Sequence, residues 1–271
     1  MTGEIREETP VEAPQVKWLR LKKAVAAVIH SSAIGHLVGW WYRDVIPFHG
    51  IPISVRGAGI LPGNKVALLL GMYESAEVRF ITAYLRLDLP VVELGSSIGA
   101  VSSVIAGHLD NGQRLICVEP NPNLLSVLSD NLNRNASHLA VKTLNAAVAY
   151  DAATVSLHLT GDNLTSRRSS QASEQSVEVP AVTLKEVVAG LGGGPYQLVL
   201  DIEGGEVAML LDDATALQAC ELLVAELHEV RHGGGTYTVA DQVDLLQANG
   251  FEILSRYGAV VACRRTPGVI L

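Results

Sequence analysis

Val91-Val92-Glu93-Leu94-Gly95-Ser96-Ser97-Ile98-Gly99 reads as a buried strand that runs into a glycine turn and opens a helix, with a carboxylate two residues before the first glycine. Glycines at Gly95 and Gly99 let the backbone turn sharply and approach a ligand closely. Glu93 at the strand end favours a ligand that is cationic or rich in hydroxyls, and disfavours a pyrophosphate. A dinucleotide fingerprint has G-x-G-x-x-G and places its acidic residue about 20 positions further on. Here the pattern is E-x-G-x-x-x-G, with Ser97 where the middle glycine would stand.

A second carboxylate narrows the ligand. Arg114-Leu115-Ile116-Cys117-Val118 is another apolar run, and it ends in Glu119-Pro120-Asn121-Pro122. An ionised carboxylate only accepts hydrogen bonds and can take both hydroxyls of a ribose at once. Glu93 and Glu119 then bracket one nucleoside, and S-adenosylmethionine is the cofactor that matches. The plain alternative is that both glutamates are solvated strand ends.

The 271 residues, 48% of them hydrophobic, suffice for one large domain or two small ones. A net charge of −8 offers no overall basic face for phosphate neutralisation, so no nucleic-acid partner is expected. Cys117, Cys220 and Cys263 each lie in an apolar run without a C-x-x-C spacing, as expected of core residues in a reduced, cytoplasmic protein.

Residues 1–16, rich in Glu, Thr and Pro, read as a flexible tail, residues 17–88 as an N-terminal helix and β appendage, and residues 89–271 as the cofactor-binding domain. Lys17, Arg20, Lys22 and Lys23 precede an apolar stretch from Ala24 to Trp41 that His30, Ser31, Ser32 and His36 interrupt. It is too broken to span a membrane and reads as a helix packed on the domain or at a subunit contact, which allows a homo-oligomer. Basic residues beside Trp and Tyr also suit contact of the 17–41 segment with a membrane surface. Ile51 to Arg56 and Lys65 to Leu70 read as two short strands separated by Gly57, Gly59, Pro62 and Gly63. From Leu89 onward strands alternate with helical patterns, which implies parallel βαβ units. Thr154–Leu159 and Val177–Val182 alternate apolar with polar residues and read as a small antiparallel insertion around the polar loop 161–176.

With the later Asp201-Ile202-Glu203-Gly204-Gly205-Glu206 placed in order, the sequence resembles the FkbM family of S-adenosylmethionine-dependent methyltransferases. The resemblance covers about Tyr73 to His228. It rests on the Tyr73-Glu74 pair, the Glu93–Gly99 turn, the Glu119–Pro122 step, the Val179–Leu184 segment, Asp201–Glu206 and the strand end Glu226-Leu227-His228. Two departures stand out: Glu93 replaces the usual Asp, and Ser96-Ser97 replace Ala-Asn. The family implies a Rossmann-like class I methyltransferase fold, an α/β architecture with a seven-stranded, mostly parallel sheet whose last strand is antiparallel.

The expected site lies at strand ends, where ligands bind in such sheets. Cofactor contacts are assigned to Glu93, Gly95, Ser97, Gly99, Glu119, Pro120, Asn121 and Asp201. By resemblance Tyr73 and Glu74 contact the methionine end, while Ala146 and Ala147, after Asn145, flank the adenine. Asp201 and His228 resemble an orienting carboxylate and a base, with Glu203 or Glu206 as a further catalytic candidate. The competing readings are a helix N-cap for Asp201, first-turn dipole partners for Glu203 and Glu206, and a structural histidine satisfied by Glu226 and Glu229. The acidic cluster has the chemistry to bind Mg²⁺, but nothing in the spacing demands a metal and none is assigned. The expected activity is O-methylation of a small-molecule hydroxyl, on a sugar unit or a secondary metabolite. An NAD(P)-dependent oxidoreductase and a non-catalytic nucleoside-binding or membrane-associated scaffold are the alternatives.

Overall fold

The computed structural model describes residues 31–159, 167–168, 176–202 and 204–266. The chain begins with helix α1 (Ser32–Tyr42), capped by the Ser31 hydroxyl. A hairpin of β1 (Val45–Phe48) and β2 (Ile51–Ser54) follows, then α2 (Pro62–Leu69) and α3 (Ser75–Tyr84). The expected strand over Lys65–Leu70 is therefore a correction. Pro62 at the first helical turn presets the backbone there, and the hairpin partner of β2 comes from the residues before it. Val45–Phe48, which the sequence pattern alone does not mark as a strand, forms one despite Pro47.

The α/β alternation then runs as expected: β3 (Val91–Leu94), α4 (Ala100–His108), β4 (Arg114–Val118), α5 (Leu125–Asn135) and β5 (Ala140–Leu144). A second small sheet follows, made of β6 (Ala147–Val148), β7 (Thr154–His158), β8 (Arg167–Arg168) and β9 (Ser176–Val182), with β7 and β9 antiparallel. The chain returns through α6 (Leu184–Ala189), β10 (Tyr196–Leu200), α7 (Glu206–Asp212), α8 (Ala214–Leu217) and β11 (Cys220–Glu226). It closes with the hairpin β12 (Val230–His232) and β13 (Gly235–Tyr237), helix α9 (Val239–Ala248), β14 (Phe251–Tyr257) and β15 (Val260–Arg265).

The main sheet has seven strands in the order β14-β15-β11-β10-β3-β4-β5. β3, β4, β5, β10 and β11 are parallel, and β15 inserts antiparallel between β11 and β14. This is the expected class I methyltransferase arrangement. Strand side chains alternate between faces. Val91, Leu115, Cys117, Val199 and Val224 pack under α3, α4 and α5 on one face, in a cluster that also takes in Ile46, Phe48 and Ile53 of the hairpin. Val92, Ile116, Val118, Leu198, Leu223 and Cys263 pack on the other, against α6, α7 and α8. All three cysteines are buried and free of disulfides.

The chain leaves β3 towards β4 and β5, then crosses back to β10 on the other side of β3. A crevice opens at such a reversal, beyond the carboxyl ends of the strands. Register pairs Leu94 with both Val118 and Leu200, Val118 with Leu144, and Leu200 with Ala225. The next residue on each strand therefore lies along one edge, in the order Asn145, Glu119, Gly95, Asp201, Glu226.

Candidate active site

Gly95 occupies the centre of this edge at φ 92°, where a Cβ would fall 1.7 Å from the carbonyl oxygen of Asp201. Only glycine lets the two strand ends approach so closely. The amides of Gly95 and Ser96 both donate to the Val118 carbonyl, at 2.9 and 3.0 Å, which fixes the turn to β4. Gly99, at φ 79°, caps α4. Ser97 adopts φ 49°, a left-handed conformation that asparagine tolerates better than serine, so the Ser97 departure from the family pattern carries local strain.

Glu119 is 5% exposed. Its Oε2 accepts from the Ser97 amide and its Oε1 from the Asn121 amide, each at 2.7 Å. Burial pushes its carboxyl up to about 7, against the lowering effect of the two amides. Each oxygen retains acceptor capacity, since a carboxylate has about four lone-pair sites. Asn121 caps the following turn through Asn123, and Asn145 donates at 2.9 Å to the Glu119 and Pro120 carbonyls, so the step at Glu119–Pro122 is held from both sides.

Glu93 is buried, accepts from the Ser102 hydroxyl of α4, and keeps Oε1 without a hydrogen-bond partner among the described residues. Burial raises its carboxyl pKa. It faces a cavity of about 20 Å³ lined by Tyr73, Glu74, Glu77, Ser97 and Asp201 as well. Glu74, at φ 42°, precedes α3 and turns the chain over this cavity. Burial, then the nearby Asp201 and Glu226 carboxylates, push Glu74 up to about 8. Glu77, one turn along α3, is 3% exposed and raised well above the usual carboxylate range by burial.

At the β10–β11 end, Nδ1 of His228 lies 2.8 Å from Glu206 Oε1, and Nε2 lies 3.9 Å from Asp201 Oδ1 and 4.0 Å from Glu226 Oε1. Gln242 of α9 donates to the His228 carbonyl and fixes the backbone there. The structure thus places Asp201 and His228 together across paired strands, as the sequence implied, but the nearest partner of the histidine found among the described residues is Glu206. Glu74, Asp201 and Glu226 bring carboxylate oxygens within 4.8 Å of one another, a spacing with which a cation is compatible.

Most of the expected site residues converge on this edge. Ala146 and Ala147 are buried in apolar clusters, with Ala147 opening β6 of the small sheet. Glu203 lies outside the described residues, as does most of the 161–176 loop. Ser102 and Glu77 escape sequence reading, while Glu206 is a catalytic candidate there beside its dipole role. Ser102 carries no motif. Glu77 had one signal, its placement one helical turn after Glu74. Glu206 fitted a dipole role equally well, and only the fold brings it to His228.

A family model described as the methyltransferase FkbM domain matches residues 93–253. No curated protein matches the sequence. Among solved structures, the chain is similar to magnesium protoporphyrin IX methyltransferase (ChlM) from Synechocystis PCC 6803 with bound SAM, at 13% identity and a TM-score of 0.45, covering 90% of this chain and 97% of that one. It is also similar to Aeropyrum pernix fibrillarin in complex with S-adenosyl-L-methionine, at 11% identity and a TM-score of 0.43, covering 69% and 73%.

Proposed function

Because the chain belongs to the FkbM family of methyltransferases, we propose that it moves a methyl group from S-adenosylmethionine to a hydroxyl of a small molecule, a sugar unit or a secondary metabolite, with His228 taking the hydroxyl proton. The observation that carries this reading is the Glu206–His228 pair, set at 2.8 Å on the same strand edge as Gly95 and Glu119.

The residues present fit the cofactor. Glu119 has acceptor capacity for both ribose hydroxyls, held in place by the Ser97 and Asn121 amides. The carboxylates of Glu74, Glu93 and Asp201 suit a cationic methionine end. Their cavity of about 20 Å³ has room for roughly one water, so seating that end requires the lining to open. When bound, S-adenosylmethionine supplies an activated methyl on a sulfonium and leaves as a neutral thioether.

The protein's own work is positioning and proton transfer. The bound cofactor would supply the methyl to the acceptor oxygen, and the hydroxyl proton would pass to His228 Nε2. Glu206, with no exposed surface, holds Nδ1–H and so leaves Nε2 as the accepting nitrogen. Such a base contributes roughly 10²–10⁴ in rate. Asp201 and Glu226, at 3.9 and 4.0 Å from Nε2, stabilise the imidazolium that results.

Isothermal titration with S-adenosylmethionine, S-adenosylhomocysteine and NAD tests the cofactor. The two sulfur ligands bind and NAD does not; binding of NAD alone overturns the reading. Release of S-adenosylhomocysteine over a panel of hydroxyl, amine and carboxylate acceptors then tests the reaction. Turnover confined to amines or carboxylates refutes O-methylation, and cofactor binding without any turnover favours the scaffold alternative.

A further inference from the structure

The N-terminal elements form a surface unlike the rest of the molecule. Between Lys17 and Tyr73 the sequence carries seven Lys or Arg and a single acid, Asp44, a net charge of +6 in a chain whose total is −8. Six of the nine large hydrophobic side chains exposed among the described residues lie in this same stretch: Leu37, Trp40, Trp41, Leu61, Leu70 and Met72. None of it falls within the matched family domain.

The exposure follows from how α1 packs. Gly35 and Gly39 face α2 so closely that a Cβ on Gly35 would lie 2.1 Å from the Pro62 carbonyl oxygen, and one on Gly39 would lie 2.6 Å from Asp44. With the glycine face buried, Leu37, Trp40 and Trp41 turn outward, 59%, 73% and 71% exposed. Arg43 and Arg56 flank the tryptophans; the Arg56 side chain donates to the Arg43 carbonyl at 3.0 Å, and the lone acid is neutralised by Lys65 at 2.7 Å. His36, Trp40, Trp41, Arg43 and Arg56 share one broad surface depression.

We propose that this face binds the surface of an anionic lipid bilayer. Trp and Leu enter the interfacial layer, where amphipathic rings are favoured, while the cationic rim of Arg43 and Arg56 meets lipid phosphates. No helix among the described residues is long and apolar enough to cross a membrane, and the proposed mode is contact with one leaflet. The excess negative charge of the remaining chain repels the same surface and orients the molecule with the tryptophans inward. A second copy of the chain fits less well, because two such faces would oppose like charges. A nucleic acid would match the charge and leave the exposed leucines and methionine without a partner. The proposal stands independently of the methyl-transfer chemistry.

Co-sedimentation of the full chain with vesicles of phosphatidylcholine alone, and of phosphatidylcholine mixed equally with phosphatidylglycerol, tests it. The expected result is partitioning at least about tenfold stronger onto the mixed vesicles, with release at high salt and a blue shift of tryptophan emission on binding. Trp40→Ser/Trp41→Ser should lose about tenfold or more of this partitioning with an unchanged unfolding temperature, and Arg43→Gln/Arg56→Gln should weaken it in a salt-dependent way. Failure to bind either vesicle overturns the proposal, as does equal binding to both or indifference to the tryptophan substitutions. Self-association abolished by Trp40→Ser/Trp41→Ser, without vesicle binding, would assign the face to a second copy. Binding to RNA or DNA that exceeds vesicle binding and ignores the tryptophans would assign it to a polyanion.

Discussion

Glu206 and His228 meet at 2.8 Å, joining the first residue of α7 to the residue two beyond the end of β11. Glu206 is fully buried, and in the proposed mechanism its contact with Nδ1 leaves Nε2 towards Asp201 and Glu226. Replacing Glu206 by Ala should leave S-adenosylmethionine affinity within about twofold and lower turnover by roughly 10²-fold, because the imidazole loses its orientation. His228→Ala should lower turnover by roughly 10²–10⁴-fold. Nitrogen-15 NMR checks the cause: the wild type should show a single His228 tautomer protonated at Nδ1, and Glu206→Ala a mixture. Equal turnover in wild type and both variants would remove the base from the mechanism.

Glu119 combines two tasks, accepting the Ser97 and Asn121 amides and presenting its remaining lone pairs along the strand edge. Glu119→Gln keeps one acceptor oxygen but turns an N–H₂ group towards an amide donor. Loss of a charge-assisted pair to ribose corresponds to roughly 10²–10⁴ in affinity, at about 1.5–3 kcal/mol for each hydrogen bond. Titration calorimetry with S-adenosylhomocysteine should show this drop with the far-UV circular dichroism unchanged. Undiminished affinity would place the ribose elsewhere.

Gly95→Ala is expected to be destabilising as well as inactive. At φ 92° an L side chain is strained, and its Cβ would lie 1.7 Å from the Asp201 carbonyl, so β3 and β10 must separate beside the proposed cofactor site. Thermal unfolding should show a clear drop in midpoint, corresponding to about 1–3 kcal/mol for a forced backbone outlier, and cofactor binding should vanish. A variant with wild-type midpoint and affinity would show that the close approach is dispensable.

Much of this arrangement was legible from local chemistry. The strand-turn-helix at Val91–Gly99 and the carboxylate at Glu119 announce themselves because strand periodicity, glycine geometry and charge all fall within a few residues. Alternation of strands and helices from Leu89 onward was readable for the same reason. The misreading of Lys65–Leu70 shows the limit: a short apolar run has no periodicity that separates strand from helix, and the deciding features are Pro62 and the partner of β2. Glu77, Ser102 and the pairing of Glu206 with His228 were opaque for a different cause. Their roles depend on which helix lands beside which strand end, and only the sheet order settles that. Glu93 shows the subtler case, since its longer side chain than the family's Asp is buried against Ser102, a contact nine residues away that no spacing rule anticipates.

Stability and cofactor binding should respond to pH in opposite directions. Burial, reinforced by Asp201 and Glu226, raises Glu74 from an ordinary 4.5 to about 8, and burial raises Glu119 to about 7. Between the ordinary 4.5 and these values, the folded, unliganded protein holds protons on both groups that the unfolded chain has already released. Their contribution is therefore complete below the unfolded pKa and is lost as pH rises through about 7 and about 8, at up to about 1.4 kcal/mol per pH unit for each group. A cationic ligand and ribose hydroxyls call for the ionised forms, so S-adenosylmethionine should bind more tightly as pH rises through the same window, releasing protons below it. Thermal midpoints measured with and without the cofactor across this range should show the unliganded curve falling while the ligand-induced shift grows. Glu74→Gln should flatten the alkaline part of the unliganded curve. Identical curves for Glu74→Gln and wild type would mean that Glu74 is already ionised in the empty site.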